Sequence, residues 1–216
     1  TTIFAVVVAV PLGVLAAWKA HTWIDRGVML FAVMGFSVPV FVIGYVLMWV
    51  FSLTLGWFPV QGYKPIGEGI GPFLSSIALP TLALGLVYVA LIARMTRASV
   101  MEVLTEDYIR TARAKGVNNR TLLMRHALKN ASVPIVTIIG VGVALLIGGV
   151  VVTESVFNIP GLGRLTIDAV LRRDYPIIQG VILIFSGIYV LVNLVIDLSY
   201  TVLDPRICLL YTSDAA

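Results

Sequence analysis

Apolar runs of close to twenty residues recur along this chain, and they constrain its fold more than any other feature. A hydrocarbon core of about 30 Å is crossed by about 20 residues of helix, and backbone in lipid must satisfy its hydrogen bonds internally. The runs therefore predict an all-α fold, a polytopic membrane helical bundle. We place the spanning helices at about 1–18, 28–53, 74–93, 133–152 and 177–200.

The composition of the chain supports this interpretation. Hydrophobic residues make up 59% of the sequence, charged residues only 12%, and the mean hydropathy is +1.01. This is about half the charge of a soluble domain. The number of apolar runs also excludes a soluble domain with a single anchor, so we predict one transmembrane domain over residues 1–207.

The distribution of Lys and Arg predicts the orientation of the bundle, because cytoplasmic loops collect positive charge. One side of the predicted membrane has only four such residues, namely Lys64, Arg164, Arg172 and Arg173. The other side has eleven: Lys19, Arg26, Arg94, Arg97, Arg110, Arg113, Lys115, Arg120, Arg125, Lys129 and Arg206. The loop 94–132 and the C-terminus are therefore expected in the cytoplasm.

Charge is nearly absent within the predicted spans. Asp197 lies close to a cytoplasmic helix end, and Glu154 lies just beyond the opposite end of its helix. A carboxylate at either place can reach the interface or pair with a nearby base. A proton relay or ion site needs buried acids near the midplane. The pattern thus argues against an ion-coupled secondary transporter, which stays as the alternative.

The chain has no recognisable catalytic, nucleotide-binding or metal-binding motif. It lacks G-x-x-x-x-G-K-[ST], G-x-S-x-G and H-E-x-x-H. The two histidines, His21 and His126, lie in different loops without ligand spacing, and the single Cys208 defines no disulfide or zinc site. We predict a protein that is not an enzyme and binds no cofactor or metal. Membrane topology accounts for the basic loop, so no nucleic acid is expected.

The most unusual segment is the helix predicted within the cytoplasmic loop. Thr105 is expected to cap its N-terminus and Gly116 to take the left-handed position at its end. Tyr108, Ile109 and Ala112 form a narrow apolar face for packing, which so short a helix needs for order. The segment comprises Thr105, Glu106, Asp107, Tyr108, Ile109, Arg110, Thr111, Ala112, Arg113, Ala114, Lys115 and Gly116.

This segment resembles the cytoplasmic signature loop of ABC importer permeases, more narrowly the dipeptide, oligopeptide and nickel transport branch. Arg110-Thr111-Ala112 stands where the general signature has Glu-Ala-Ala, a variant common in the peptide branch. Further matches in the same order are Leu79-Pro80, Arg94-Met-Thr-Arg97, Met101-Glu-Val-Leu104, Arg125-His-Ala-Leu-Lys-Asn-Ala131, Pro134, Val156-Phe-Asn-Ile-Pro-Gly-Leu-Gly163, Asn193-Leu-Val-Ile-Asp197 and Leu203-Asp-Pro-Arg206.

The resemblance implies a type I-like importer fold and a set of partners. Residues 105–116 would form a coupling helix seated on an ATPase subunit, and ATP and Mg²⁺ would be bound by that partner. The implied partners are a second permease, two ATPase subunits, an extracytoplasmic substrate-binding protein and the lipid bilayer. The implied location is the inner membrane of a prokaryote. Peptides, nickel complexes, glutathione and opine-like solutes remain open as substrates.

Both ends of the chain carry expectations. The run 1–18 has no Met and no basic leading segment, so we expect an N-terminally truncated bundle. Residues 208–216 do not resemble the basic ending that such permeases have after Asp204-Pro205-Arg206. We expect them to be a non-native tail.

Three smaller features have two interpretations each. Pro39 should kink or break its helix, either as a gate hinge or for packing alone. The small residues Gly140, Ala144 and Gly148 are four apart, which suits close helix packing or a wide translocation path. In the external loop, the resemblance makes Asp168, Arg172 and Asp174 candidate docking charges for a binding protein; an ordinary solvated loop is the alternative.

Overall fold

The computed structural model describes residues 1–203, and within them every regular element is a helix. The bounds are α1 Thr2–Trp18, α2 Trp23–Ser37, α3 Val40–Leu47, the π-helix π1 Met48–Thr54, a 3₁₀ turn Ile66–Glu68, α4 Ile70–Leu104, α5 Asp107–Ala114, α6 Asn119–Thr121, the π-helix π2 Leu122–Ala127, α7 Leu128–Asn130, α8 Ser132–Phe157, α9 Leu162–Arg172 and α10 Tyr175–Leu203. The expected non-native tail 208–216, Arg206 and most of the Leu203–Arg206 motif lie outside the described residues.

Three helices are long and apolar enough to cross a membrane, namely α4, α8 and α10. The pair formed by α2 and α3 with π1 makes a fourth span if it counts as one, and α1 is a shorter apolar helix of 17 residues. Helices of this kind bury their backbone polar groups internally, as lipid requires. The prediction of an all-α, multi-pass membrane protein is confirmed.

The predicted span 28–53 is not one continuous helix. α2 ends at Ser37 and α3 begins at Val40, with a bend of 103° between the two parts of the span. Pro39 has no N–H to donate and pushes the residue before it out of the helical region, and Val38 is accordingly extended at φ −92° and ψ 126°. The break expected at Pro39 is confirmed, and the predicted span 28–53 consists of two helical parts.

α4 extends further than the predicted span 74–93. It runs for 35 residues, or about 50 Å, so that residues 94–104 of the predicted cytoplasmic loop continue the helix. The polar residues from Arg94 onward do not end the helix, because one face of this part stays buried. Thr96, Ser99 and Val100 lie on that buried face. α4 therefore extends as one continuous helix from the apolar core to Leu104, within the predicted loop.

The core lies where α1 and α8 pack on α4. Small side chains on α1, Ala5 and Ala9, are almost fully buried against Tyr88, Val89 and neighbouring residues of α4. Small residues let two helices approach closely, which is the main source of association between helices in lipid. α4 thus forms the central element to which the rest of the bundle attaches.

One buried hydroxyl in this core gives a stability prediction. Thr96 is fully buried, and within residues 1–203 its Oγ1 has no hydrogen-bond partner. We expect Thr96→Val to leave the free energy of unfolding unchanged or raise it by about 1 kcal/mol, because it removes an unpaired polar group at constant shape. Thr153→Val is the matched control: Thr153 Oγ1 donates to the carbonyl of Gly149 at 3.0 Å, so this change should be neutral or destabilising. Thermal unfolding in detergent measures both, and a clear loss for Thr96→Val would contradict the expectation.

Candidate functional site

The candidate site begins where α4 stops. α4 ends at Leu104, and Thr105 closes it, since its N–H and its Oγ1 both donate to the carbonyl of Glu102, at 3.0 and 2.6 Å. The residue before α5 is Glu106, and no side chain caps the N-terminus of α5. The prediction that Thr105 caps the short helix was wrong, because the last turn of the longer helix already uses its hydroxyl.

The C-terminal end of α5 is built as expected. The N–H of Val117 donates to the carbonyl of Ala112 at 3.2 Å, and the N–H of Gly116 donates to that of Arg113 at 3.0 Å. These two bonds form a Schellman motif, which needs a left-handed residue at Gly116. Gly116 has φ +78°, so the sharp stop predicted for this helix is confirmed.

A single side chain anchors α5. Ile109 is 1% exposed, and α5 contacts π2, whose Leu122 and Leu123 are also buried. At the rim, the amide of Asn130 donates to the hydroxyl of Tyr108 at 2.6 Å, with Tyr108 itself 42% exposed. An eight-residue helix is not stable alone, so its position depends on this docking against the following segment of its own chain.

The opposite face of α5 is polar and accessible. Asp107, Arg110 and Lys115 are exposed and lie away from Ile109, whereas Arg113, four residues after Ile109, is exposed on the side of the helix that carries Ile109. Arg110 and Asp107 form an ion pair at 3.4 Å, but their side chains are 74% and 95% exposed, and such pairs stabilise a helix very little. These charges are therefore accessible to a partner, while Ile109 packs α5 against its own chain.

The turn at Gly116 gives a prediction of moderate size. Nothing lies within 4 Å of a Cβ added there, so Gly116→Ala meets only the cost of the left-handed conformation, about 1 kcal/mol. We expect faster amide hydrogen exchange over residues 107–117 in the full-length protein, without loss of the bundle. Gly116→Asn is the control, because Asn tolerates this region better. Equal exchange in Gly116→Ala and the unmodified protein would contradict the prediction.

A buried ion pair on the same side was not anticipated from the sequence. Asp25 near the start of α2 accepts two hydrogen bonds from the guanidinium of Arg97 on α4: one from Nη2 at 2.7 Å and one from Nε. Asp25 also accepts the backbone N–H of His21 at 2.9 Å. The side chains of Asp25 and Arg97 are 5% and 22% exposed. The only hint in the sequence was an acid near the start of an apolar run and a base within a helix, 72 residues apart.

On the other side of the membrane, Glu154 of α8 holds the start of α9. Its Oε2 accepts the backbone N–H of Arg164 at 3.0 Å, so a side chain from one helix caps the N-terminus of another. Gly161 leaves room for the carboxylate, because a Cβ there would overlap it. Gly163 allows α9 to approach α8, because a Cβ there would lie 2.6 Å from the Cα of Val151. This contact explains why two glycines stand in the Asn-Ile-Pro-Gly-Leu-Gly loop.

The candidate docking charges are only partly brought together. Asp168 and Arg172 are both exposed and lie one helical turn apart on α9. Asp174 is half-buried and accepts the N–H of Ile177 at 3.4 Å at the start of α10, so it has a local contact of its own. A cavity of about 660 Å³ opens beside α9, with Arg164, Leu165 and Asp168 in its lining.

The small-residue stripe on α8 is interrupted. Gly140 is buried, and a Cβ there would overlap the side chain of Ile196 on α10, so this position serves close helix packing. Ala144 is half-buried, while Gly148 is exposed with nothing within 4 Å of an added Cβ. The contact with α4 falls instead on Gly149, whose added Cβ would lie 2.8 Å from Leu84.

The described residues also bear on metal binding. Within residues 1–203 no group of three or more His, Cys, Asp and Glu side chains is placed to hold a metal ion. The two local features of note are the docked polar helix α5 on one side of the membrane and, on the other, α9 with its N-terminus capped by Glu154.

These features are those of a multi-pass helical membrane protein. The chain belongs to the family of binding-protein-dependent transport system inner membrane components, whose model matches residues 9–208. The resemblance recognised in the sequence is confirmed.

Several relatives align with most of this chain. It is 55% identical over 207 residues to a probable peptide ABC transporter permease of Sinorhizobium fredii, covering 96% of this chain and 66% of that protein. It is 40% identical over 225 residues to the dipeptide transport system permease of Alkalihalophilus pseudofirmus, covering 95% and 68%. It is 45% identical over 205 residues to the glutathione transport system permease of Escherichia coli K12, covering 95% and 64%. The chain thus spans about two thirds of the length of these relatives.

Proposed function

We propose that this chain is part of the permease subunit of an ATP-binding-cassette importer, and that it forms half of a transmembrane pathway for peptides or related small solutes. The observation that carries the proposal is α5, a short polar helix anchored from behind by Ile109 and closed by a Schellman motif at Gly116. Such a helix offers a rigid charged surface to a partner. The names of the relatives, which refer to peptide, dipeptide and glutathione transport, support the substrate class.

The proposed complex contains a second permease, two ATPase subunits and an extracytoplasmic substrate-binding protein. The permease lies in the inner membrane of a prokaryote, with the 94–132 segment and the C-terminus in the cytoplasm, as the excess of Lys and Arg favours. It binds no cofactor itself, and ATP and Mg²⁺ are held by the ATPase subunits. The exposed face of α9, with Asp168 and Arg172, is the proposed docking surface for the binding protein, and Asp174 supports it at the start of α10.

The proposed mechanism is alternating access driven by the movement of α5. When ATP brings the two ATPase subunits together, residues 105–116 move with the ATPase subunit on which they are seated. α4 follows because only Thr105 and Glu106 separate it from α5. α4 is the central helix of the bundle, packed with α1, α2 and α8, so its displacement shifts the bundle between inward-open and outward-open arrangements. Pro39 is a proposed hinge in this movement, and Gly140, Ala144 and Gly148 contribute packing or pathway surface on α8.

Co-purification tests the composition of the complex. The full-length permease is tagged in its native membrane, extracted in mild detergent and examined by mass spectrometry. We expect two ATPase subunits and a second permease to be recovered in fixed ratio. A protein recovered reproducibly alone, under conditions that keep a known transporter of this family assembled, would contradict the proposal and return weight to an ion-coupled transporter.

A further inference from the structure

The ion pair between Asp25 and Arg97 joins two elements that the chain connects only through a long path. Asp25 is the third residue of α2, and Arg97 lies on α4 about two turns before α4 ends at Leu104. Arg97 therefore lies on the part of α4 that leads into α5. The ion pair is a direct connection between α4, which leads into α5, and α2, which is the first part of the broken span.

From this placement we propose that Asp25 and Arg97 are positioning residues that pass the movement of α5 to α2. The inference rests on the proposed function, because it assigns a route to the coupling movement. A displacement of α5 reaches α4 first and then α2 through the guanidinium–carboxylate pair. α2 ends at the 103° bend beside Pro39, which separates the direction of α2 from that of α3.

The geometry of the pair suits a link that stays closed. A guanidinium that donates two parallel hydrogen bonds to one carboxylate holds both the distance and the orientation of its partner. Separation would leave Asp25 as an unpaired charge at 5% exposure, which is strongly unfavourable. The N–H of His21 binds the same carboxylate, so the connection between α1 and α2 is tied to the pair as well.

The other ion pair within residues 1–203 does not have these properties. Arg110 and Asp107 lie on one helix, three residues apart, and both are largely exposed. They join no two elements, and solvent screens them. The transmitting role therefore falls on the buried pair.

The experiment uses the complete transporter, assembled with full-length permease in proteoliposomes, and measures solute taken up per ATP hydrolysed. Asp25→Asn keeps the shape of the side chain and removes its charge. We expect this ratio to fall by at least about fivefold, the lower end of usual coupling factors, while ATP hydrolysis and complex recovery persist. Arg97→Lys, which keeps the charge but loses the paired geometry, should give a smaller fall. The exchange Asp25→Arg with Arg97→Asp should recover part of the ratio.

The matched control is Glu102→Gln, which removes an exposed carboxylate further along α4; its ratio should equal that of the unmodified transporter. An unchanged ratio in Asp25→Asn, or a fall of equal size in Glu102→Gln, would overturn the inference. A loss of complex recovery for Asp25→Asn with a normal ratio in Arg97→Lys would also overturn it, since the pair would then serve stability alone. If the unmodified transporter showed no ATP-driven uptake, the proposed function itself would fail.

Discussion

Replacing Ile109 by Ala is expected to reduce ATP-driven uptake by at least about tenfold, with the bundle still folded. Ile109 is the only fully buried side chain of α5. Truncating a buried Ile to Ala costs about 2–5 kcal/mol, and even 2 kcal/mol lowers the equilibrium constant for docking of the helix about thirtyfold. Because eight residues do not hold a helix by themselves, α5 loses the surface it presents. Uptake by the complete transporter measures this loss.

Ile109→Val is the matched control for this experiment. It removes one methylene group, at a cost of about 0.5–1.5 kcal/mol, and should leave most of the uptake. Both variants need equal amounts of permease in the membrane, measured by quantitative blotting. Normal uptake by Ile109→Ala at equal abundance would show that docking of α5 on its own chain is not needed.

Gly163→Ala should displace α9 and lower the stability of the permease. A Cβ at this position would lie 2.6 Å from Cα and 3.0 Å from N of Val151, and neither backbone atom can move without α8. Overpacking of this kind costs about 1–3 kcal/mol. The shift also strains the bond from the Arg164 N–H to Glu154, a charged hydrogen bond worth about 1.5–3 kcal/mol. Thermal unfolding in detergent measures the destabilisation.

Gly180→Ala is the control for Gly163→Ala. Gly180 lies within α10, and nothing is found within 4 Å of a Cβ added there. Ala is favoured over Gly in a helix interior by about 0.5–1 kcal/mol, so this variant should be as stable as the unmodified permease or slightly more so. Equal unfolding temperatures for the two variants would contradict the close approach of α9 to α8 at Gly163 and Val151.

Local signals in the sequence predicted much of this fold. The apolar runs gave the membrane class, Pro39 gave the break between α2 and α3, and Gly116 gave the end of α5. Each of these depends on a residue's own backbone preference or on the solvent around a run of residues. Such properties are visible without knowledge of the neighbours.

The features that escaped prediction depend on contacts between distant parts of the chain. Asp25 and Arg97 are paired through the packing of α2 on α4, which no spacing in the sequence indicates. The extension of α4 to Leu104 and the consequent use of Thr105 at its end follow from burial of one face of a polar segment. The cap that Glu154 supplies to α9 is likewise a contact between two helices.

The measurement that tests the central claim most directly is uptake of a labelled dipeptide into proteoliposomes that contain the complete transporter, with ATP supplied on the side of the 94–132 segment and no ion gradient. Uptake should require both ATP and the binding protein, and deletion of residues 105–130 in a properly inserted permease should abolish it. Uptake that survives this deletion, or that follows an imposed ion gradient without ATP, would contradict the claim that this chain couples transport to a separate ATPase.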